Sequence, residues 1–355
     1  MRSSDYSLCI VNCELRIMNY ELLCVALYAF SIENATAQTD TAKEPVVNGS
    51  VMVEVNYGHH THRHHPTVWD FPHILAEGTA RLGRGWSLEA NVEYERFREN
   101  GAWDNNARND YHTNLFALTR QTSLGHDRSM RLGLGIVPVP LGITNSGGPA
   151  LTIYDPISES EIMPMTWHDG GITAEVQAGY WKLTTGLYIY GRAPLSDSRV
   201  AGGAARLDFR LPQGLNVGAS CYYGNTYAGQ LATDIGAPEG KRHEFYSVFD
   251  FFYAVHGLTI DGSAVYSQAQ NKNTYGVEAG LDVLQNVTAN MQLSPYARYD
   301  GIFDHREQTI HRYTLGIDFV PIDGLTMKTE LAWHHESRLP TSCQMRFGIG
   351  YAVAF

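Results

Sequence analysis

The sequence predicts an all-β protein, a transmembrane antiparallel up-and-down β-barrel, and the spacing of its breaks predicts sixteen strands. Three observations carry that reading. Apolar and polar residues alternate at period two over stretches as long as the thirteen residues Cys343–Phe355, and in a strand this period sends the two sets to opposite faces. Short turns and long polar segments succeed one another along the chain, the habit of outer-membrane barrels. Aromatic residues (Trp86, Tyr94, Tyr223, Tyr253, Tyr275, Tyr313, Trp333, Tyr351) fall near strand ends, where interfacial girdles sit. Composition agrees. The 355 residues include 34 Gly and 21 Tyr with only 18% charged. The mean hydropathy of −0.24 alone would indicate a soluble protein, but a membrane barrel hides its apolar face in such an average. No apolar run approaches the ~20 residues of a membrane-spanning helix.

The chain opens with a leader. The apolar run Leu22–Phe30 and the small-x-small site Ala35-Thr36-Ala37 predict a secretory signal over 1–37, cleaved after Ala37. A periplasmic segment over 38–48 and a barrel over 49–355 follow. The near-duplication IVNCELR–IMNYELL and the sparse positive charge ahead of the apolar run make Met18 an alternative start. Three of the five cysteines (Cys9, Cys13, Cys24) belong to the leader. Cys221 and Cys343 are too few and too far apart for a disulfide framework or a metal cluster.

Between the first two expected strands, on the long-loop rim, lies GHHTHRHHP (Gly58–Pro66), which carries His59, His60, His62, His64 and His65. Imidazole is a common ligand of zinc, copper and nickel. Closure of a sixteen-stranded barrel places this loop beside His334-His335, so the two loops together form a candidate metal-capture site. A loop without fixed ligand geometry is the other reading, a solvated segment whose charge changes near pH 6–7.

The strands follow. In Trp86–Glu95, Trp86, Leu88, Ala90, Val92 and Tyr94 share one face while Glu89, Glu93 and Glu95 lie on the other. Thr274–Val283, Arg312–Phe319, Leu325–His334 and Cys343–Phe355 read as cleanly. Over these five strands the apolar register has 26 positions without a charge, and the interleaved register has 25 positions with ten charges. Strands of this length suit a tilted membrane span of about 9–11 residues. The short turns are at 83–85, 125–127, 211–214, 255–257, 284–286 and 321–324. Long polar stretches cover 58–70, 98–110, 138–169, 191–201, 224–242, 268–273, 300–309 and 336–342.

The segment Gly135–Gly171 carries a further signal. Its pieces Pro138-Val139-Pro140-Leu141-Gly142, Glu159–Pro164, Trp167 and Gly170-Gly171 resemble the third-loop region of the phosphate-selective porins of Gram-negative outer membranes. Phe355, ending an alternating strand, resembles the signal read by the barrel-assembly machinery. The resemblance implies a homotrimeric diffusion channel for small hydrophilic solutes, set in outer-membrane lipid and lipopolysaccharide. In such a channel the third loop folds into the lumen as the constriction. It also implies anion selectivity through inward Lys and Arg, and here the sequence departs from the family. Acidic wall positions are Glu77, Glu89, Glu93, Glu95, Glu175, Asp208, Asp261, Glu278, Asp282, Asp318 and Glu330; basic ones are Arg81, Arg131, Arg206, Arg210, Arg312, Lys328 and Arg346. The third loop adds Asp155, Glu159, Glu161 and Asp169 without a Lys or Arg. Carboxylate rings favour cations, so a weak cation preference is expected. The net charge of −11 disfavours nucleic acid as a partner. No nucleophile elbow, phosphate loop or HExxH occurs in the sequence, so neither enzymatic activity nor a cofactor is expected.

Overall fold

A computed structural model describes residues 47–60, 67–99, 102–103, 111–143, 145, 151–153, 156–163, 167–189, 201–225, 243–285, 287–288, 290–304, 309–337 and 340–355. The strands are β1 (Val47–His60), β2 (Val68–Gly83), β3 (Trp86–Tyr94), β4 (Phe97–Glu99), β5 (Ala102–Trp103), β6 (Tyr111–Gly125), β7 (Arg128–Pro138), β8 (His168–Ala178), β9 (Trp181–Ile189), β10 (Ala201–Arg210), β11 (Leu215–Asn225), β12 (His243–Val255), β13 (Leu258–Ser267), β14 (Lys272–Leu281), β15 (Gln292–Asp304), β16 (Thr309–Ile322), β17 (Leu325–Glu336) and β18 (Ser342–Ala354). One short helix, α1 (Ile157–Ser160), lies in the long connection between β7 and β8. The predicted signal peptide lies outside the described residues, and β1 begins two residues before the expected barrel start.

Sixteen of these strands form one closed antiparallel wall. β4 and β5 are a small hairpin that continues from β3 and pairs its first strand with Val68–Asp70 of β2. Closure is made by β1, which pairs with β2 on one side and with β18 on the other, from Ser50↔Ala354 to His60↔Gln344. At the seam Gly49 and Phe355 exchange both backbone hydrogen bonds, at 3.0 and 2.9 Å. A closed wall leaves no unpaired strand edge, which a lipid environment requires.

The turns on one rim are set by local chemistry. Arg84 and Gly85 both have positive φ, as do His256 and Gly257, the conformation of a type I′ hairpin turn whose twist matches the strands. At Gly85 a side chain would collide with the Gln121 carbonyl, so only glycine fits. The chain also turns at Gly179-Tyr180 between β8 and β9, a break with no strong sequence signal.

The alternation resolves into an inside and an outside. Outward positions are large, apolar and exposed: Phe116, Leu132, Ile172, Phe249, Leu315 and Ile317 lie between 40% and 53% accessible. Towards the long-loop rim the outer face carries an aromatic ladder. Tyr275 and Tyr299 rings are 5.7 Å apart, and those of Tyr299 and Tyr313 are 5.2 Å apart. At the short-turn rim Arg120 lies over the Trp86 ring at 5.2 Å, an arrangement suited to an interface where one end of a side chain is wet. An apolar surface of this extent is incompatible with free solution; it suits lipid. Leu315 sits midway along β16, so Leu315→Arg is expected to destabilise the barrel by about 2–4 kcal/mol. Urea unfolding of the barrel in phospholipid vesicles measures this, and a neutral result would contradict the lipid-facing assignment.

Candidate functional site

The long connection after β7 enters the barrel rather than leaving it. Val137, Val139, Leu141, Ile162, Met163 and Trp167 are all buried, and they pack with Tyr188, Tyr222, Tyr246 and Val248 from the inner faces of β9, β11 and β12. Trp167 lies tilted against Tyr222 with ring centroids 4.5 Å apart and meets Tyr246 edge-on at 6.4 Å. This apolar cluster fills part of the space enclosed by the wall.

From that base the loop crosses the lumen on a series of hydrogen bonds. The Gly142 N–H donates to Ser220 Oγ (3.2 Å), and Arg206 Nη1 donates to the Gly142 carbonyl (3.4 Å). Further on, the Leu151 N–H donates to Glu278 Oε1 (3.1 Å) and the Ile153 N–H to Glu330 Oε1 (2.6 Å). Lys328 Nζ holds the Thr152 carbonyl at 3.4 Å. On the return, Thr274 Oγ1 donates to the Ser158 carbonyl, and Gln270 Nε2 donates to that of Ile162 at 2.6 Å. Wall carboxylates thus accept from loop amides, and wall donors bind loop carbonyls. Each such bond satisfies a backbone group that burial would otherwise leave unpaired.

Two buried guanidinium clusters brace the wall beneath the loop. Arg206 forms a two-pronged pair with Asp250 (2.6 and 2.7 Å) and reaches Asp208 through Nε at 2.8 Å. Gly218, facing inward between them, leaves room for the crossing, since a side chain there would meet both groups. Arg298 forms a two-pronged pair with Asp300 (Nε–Oδ2 and Nη2–Oδ1, both 3.0 Å), while its Nη1 faces Asp261 at 3.5 Å and Glu278 at 3.7 Å. Its Nη2 also meets Ser158 Oγ of α1 at 3.5 Å. All four charged side chains of this second cluster are at most 4% exposed.

The charges named from sequence fall as follows. Arg206 lies in the first cluster, and Arg346 bonds Glu330 (3.3 Å) and Gln344 (2.6 Å). Arg312 shares Gln344 at 3.3 Å and has Asp300, Glu330 and Glu161 as electrostatic neighbours. Lys328 is taken up by the loop backbone. Glu89 pairs with Arg131 and accepts from Thr119 (2.8 Å). Glu175 and Asp208 each lie 3.8 Å from Lys182. Arg81, Glu77 and Arg210 are exposed towards the short-turn rim, while Glu93 and Glu95 are partly buried at the end of β3.

The four acids expected at the constriction do not behave alike. Glu161 is exposed. Glu159, by contrast, is fully buried and accepts from the Ile143 N–H at 3.2 Å, so it pins the loop to itself rather than facing solutes. Asp169 lies within β8, buried, accepting from Trp167 Nε1 at 3.1 Å. Asp155 lies outside the described residues.

The candidate histidines whose side chains are described keep to separate partners. His59 Nδ1 bonds Thr67 Oγ1 at 3.1 Å and His335 Nδ1 bonds Thr341 Oγ1 at 3.1 Å, each within its own loop region. His334 approaches Glu336 at 3.9 Å. Being adjacent in β17, His334 and His335 point to opposite faces of the wall, so they do not act as a pair. The side chain of His60, together with His62, His64 and His65, lies outside the described residues.

The residues that sequence reading overlooked are Arg298, Asp300 and Asp250 in the clusters, and Asp70 with His73 on β2. For Arg298 and Asp300, the alternation of inward Tyr296, Arg298 and Asp300 against outward Leu293 and Ala297 was the available signal.

Fold and lumen define the class: a sixteen-stranded barrel of the outer-membrane type, with its third long loop packed inside. No protein-family model and no curated protein matches the sequence. Solved structures match in fold. Outer-membrane-expressed OmpT of Vibrio cholerae is 9% identical with a TM-score of 0.59, over 89% of this chain and all of that one. OprB of Pseudomonas putida is 9% identical at 0.59, covering 87% and 94%. A mutant porin of Rh. blastica is 11% identical at 0.53, covering 87% and 100%.

Proposed function

We propose that the protein is a porin of the Gram-negative outer membrane, passing small hydrophilic solutes or ions by diffusion through a water-filled lumen narrowed by the third long loop. One observation carries this reading: the outer face is apolar, whereas the inner face is charged and holds a loop anchored across the lumen. The Rh. blastica porin and the outer-membrane protein of Vibrio cholerae share the fold, and the latter has also been solved in a trimer form (TM-score 0.57), which supports a homotrimer here.

The loop's hydrogen bonds to the wall run to β10, β11, β14, β15 and β17 and to Gln270. Solutes accordingly pass along the opposite side, beside Glu54, Glu77, Glu89 and Glu93. Acids there outnumber the bases Arg81 and Arg131, which gives a weak cation preference. A planar bilayer with a KCl gradient tests both parts. Stepwise conductance with a reversal potential favouring K⁺ is expected; silence would overturn the channel, and strong chloride preference would overturn the selectivity. Glu161→Gln is expected to lower the K⁺/Cl⁻ permeability ratio by roughly twofold, and Arg312→Gln to raise it by a similar factor. Shifts in the same direction would separate the two residues from the pore field.

A further inference from the structure

A register shift on β2 creates a cluster of one imidazole among several carboxylates. Along β1 and β2 the partners run Glu54↔His73 and then Asn56↔Asp70, so β2 has one residue more than β1 at this point. Strict alternation would put Asp70 and His73, three apart, on opposite faces; the extra residue brings both inside. His73 Nε2 lies 2.6 Å from Glu93 Oε1, and its Nδ1 lies 3.2 Å from Asp70 Oδ2 and 3.5 Å from Glu54 Oε2. Asp70, His73 and Glu95 each offer a ligand atom, all within 4.8 Å of one another.

We infer that this cluster is a divalent-cation site for a first-row transition metal such as zinc, with His73, Asp70 and Glu95 as ligands. Two features point to a missing ligand rather than a finished ion pair. Asp70 is 3% exposed, yet its Oδ1 has no hydrogen-bond partner, and His73 Nδ1, also shut off from water, meets Asp70 Oδ2 at 3.2 Å without hydrogen-bond geometry. A protonated imidazole offsets one charge among the four carboxylates Glu54, Asp70, Glu93 and Glu95. A divalent ion offsets two and uses the imidazole lone pair. One nitrogen and several carboxylate oxygens form a donor set that zinc accepts. Tetrahedral bonds of about 2.1 Å place ligand atoms about 3.4 Å apart, a contraction that side-chain rotation supplies. Supporting groups are in place: Asn56 Nδ2 donates to Asp70 Oδ2 (3.3 Å), and Asn114 Nδ2 donates to Glu93 Oε2 (2.5 Å). Such partners orient ligating carboxylates.

The inference does not rest on conduction, and binding is the readout. Zinc is titrated calorimetrically into the chain purified from membranes in detergent, using a background in which His59, His60, His62, His64 and His65 are replaced by Asn. One zinc per chain is expected there, with X-ray absorption showing a single imidazole in the shell. His73→Gln and Asp70→Asn are each expected to weaken the dissociation constant by at least about tenfold. Heat-modifiable gel migration verifies that each variant is folded, and Glu95→Gln replaces any that is not. No zinc bound in the loop-substituted background overturns the site, as does affinity unchanged by the folded substitutions.

Discussion

Arg298→Met is expected to destabilise the barrel by about 3–5 kcal/mol, because removing one partner of a buried ion pair leaves the others uncompensated. Three carboxylates depend on this guanidinium. Glu278 is its direct cross-strand partner, Asp261 is the partner of Glu278 one strand further, and Asp300 sits two residues along on the same face. None is more than 2% exposed, so water does not take over the charge. Arg298→Lys keeps the charge but loses the planar fork that grips both oxygens of Asp300, and a smaller loss is expected. The effect should persist at high salt, since buried pairs are weakly screened. Urea unfolding in lipid vesicles, followed by tryptophan fluorescence, gives the comparison. A loss below about 1 kcal/mol would match an exposed pair and show that the cluster is hydrated.

How far the sequence foretold this arrangement follows from which interactions are local. Strand number, closure and the facing of residues such as Leu315 and Asp318 depend on period-two alternation, which any stretch of a strand carries by itself. Where alternation is broken the reading failed. Residues 58–70 read as loop, yet β2 starts at Val68, and the extra residue after Asp70 gives Asp70 and His73 a common face that no fixed period predicts. β15 was obscured differently: tyrosines occupy both of its faces (Tyr296 inward, Tyr299 outward) and Pro295 stands just before them, so Asp300 read as the start of a loop and Arg298 was passed over. Within the third long loop, acidity was legible but burial was not. Glu159 and Ser158 are enclosed by contacts with strands far along the chain, such as that of Ser158 with Thr274, 116 residues away. Only the three-dimensional course of the loop distinguishes Glu159, turned into its own loop, from Glu161, exposed two residues later.

That course makes the loop the element whose removal changes most. Gly142 lies against Met163, close enough that a side chain on the glycine would strike it, so residues 143–162 can be excised and the ends joined by a short linker. Single-channel conductance is then expected to rise roughly two- to threefold, because a sixteen-stranded wall without an inserted loop encloses an open aqueous channel. Stability should fall at the same time. Glu330 loses the Ile153 amide but keeps the Tyr296 hydroxyl on the same oxygen, whereas Glu278 Oε1 loses the Leu151 amide, and a buried acceptor left unsatisfied costs about 1–3 kcal/mol. Water entering the widened lumen rehydrates both carboxylates, which favours the lower end of that range. Ion preference should weaken as well, because the field of Glu161 disappears and the widened lumen lets ions pass farther from the wall charges, beyond a Debye length of about 8–10 Å in part of the cross-section. The proposed trimer should persist, since the described residues of the excised segment lie within the lumen and not on the lipid-facing side. Conductance that stays at the wild-type level in a folded, excised barrel would mean that the narrowing lies elsewhere, and the loop would then be a brace for the wall instead of the gate on the passage.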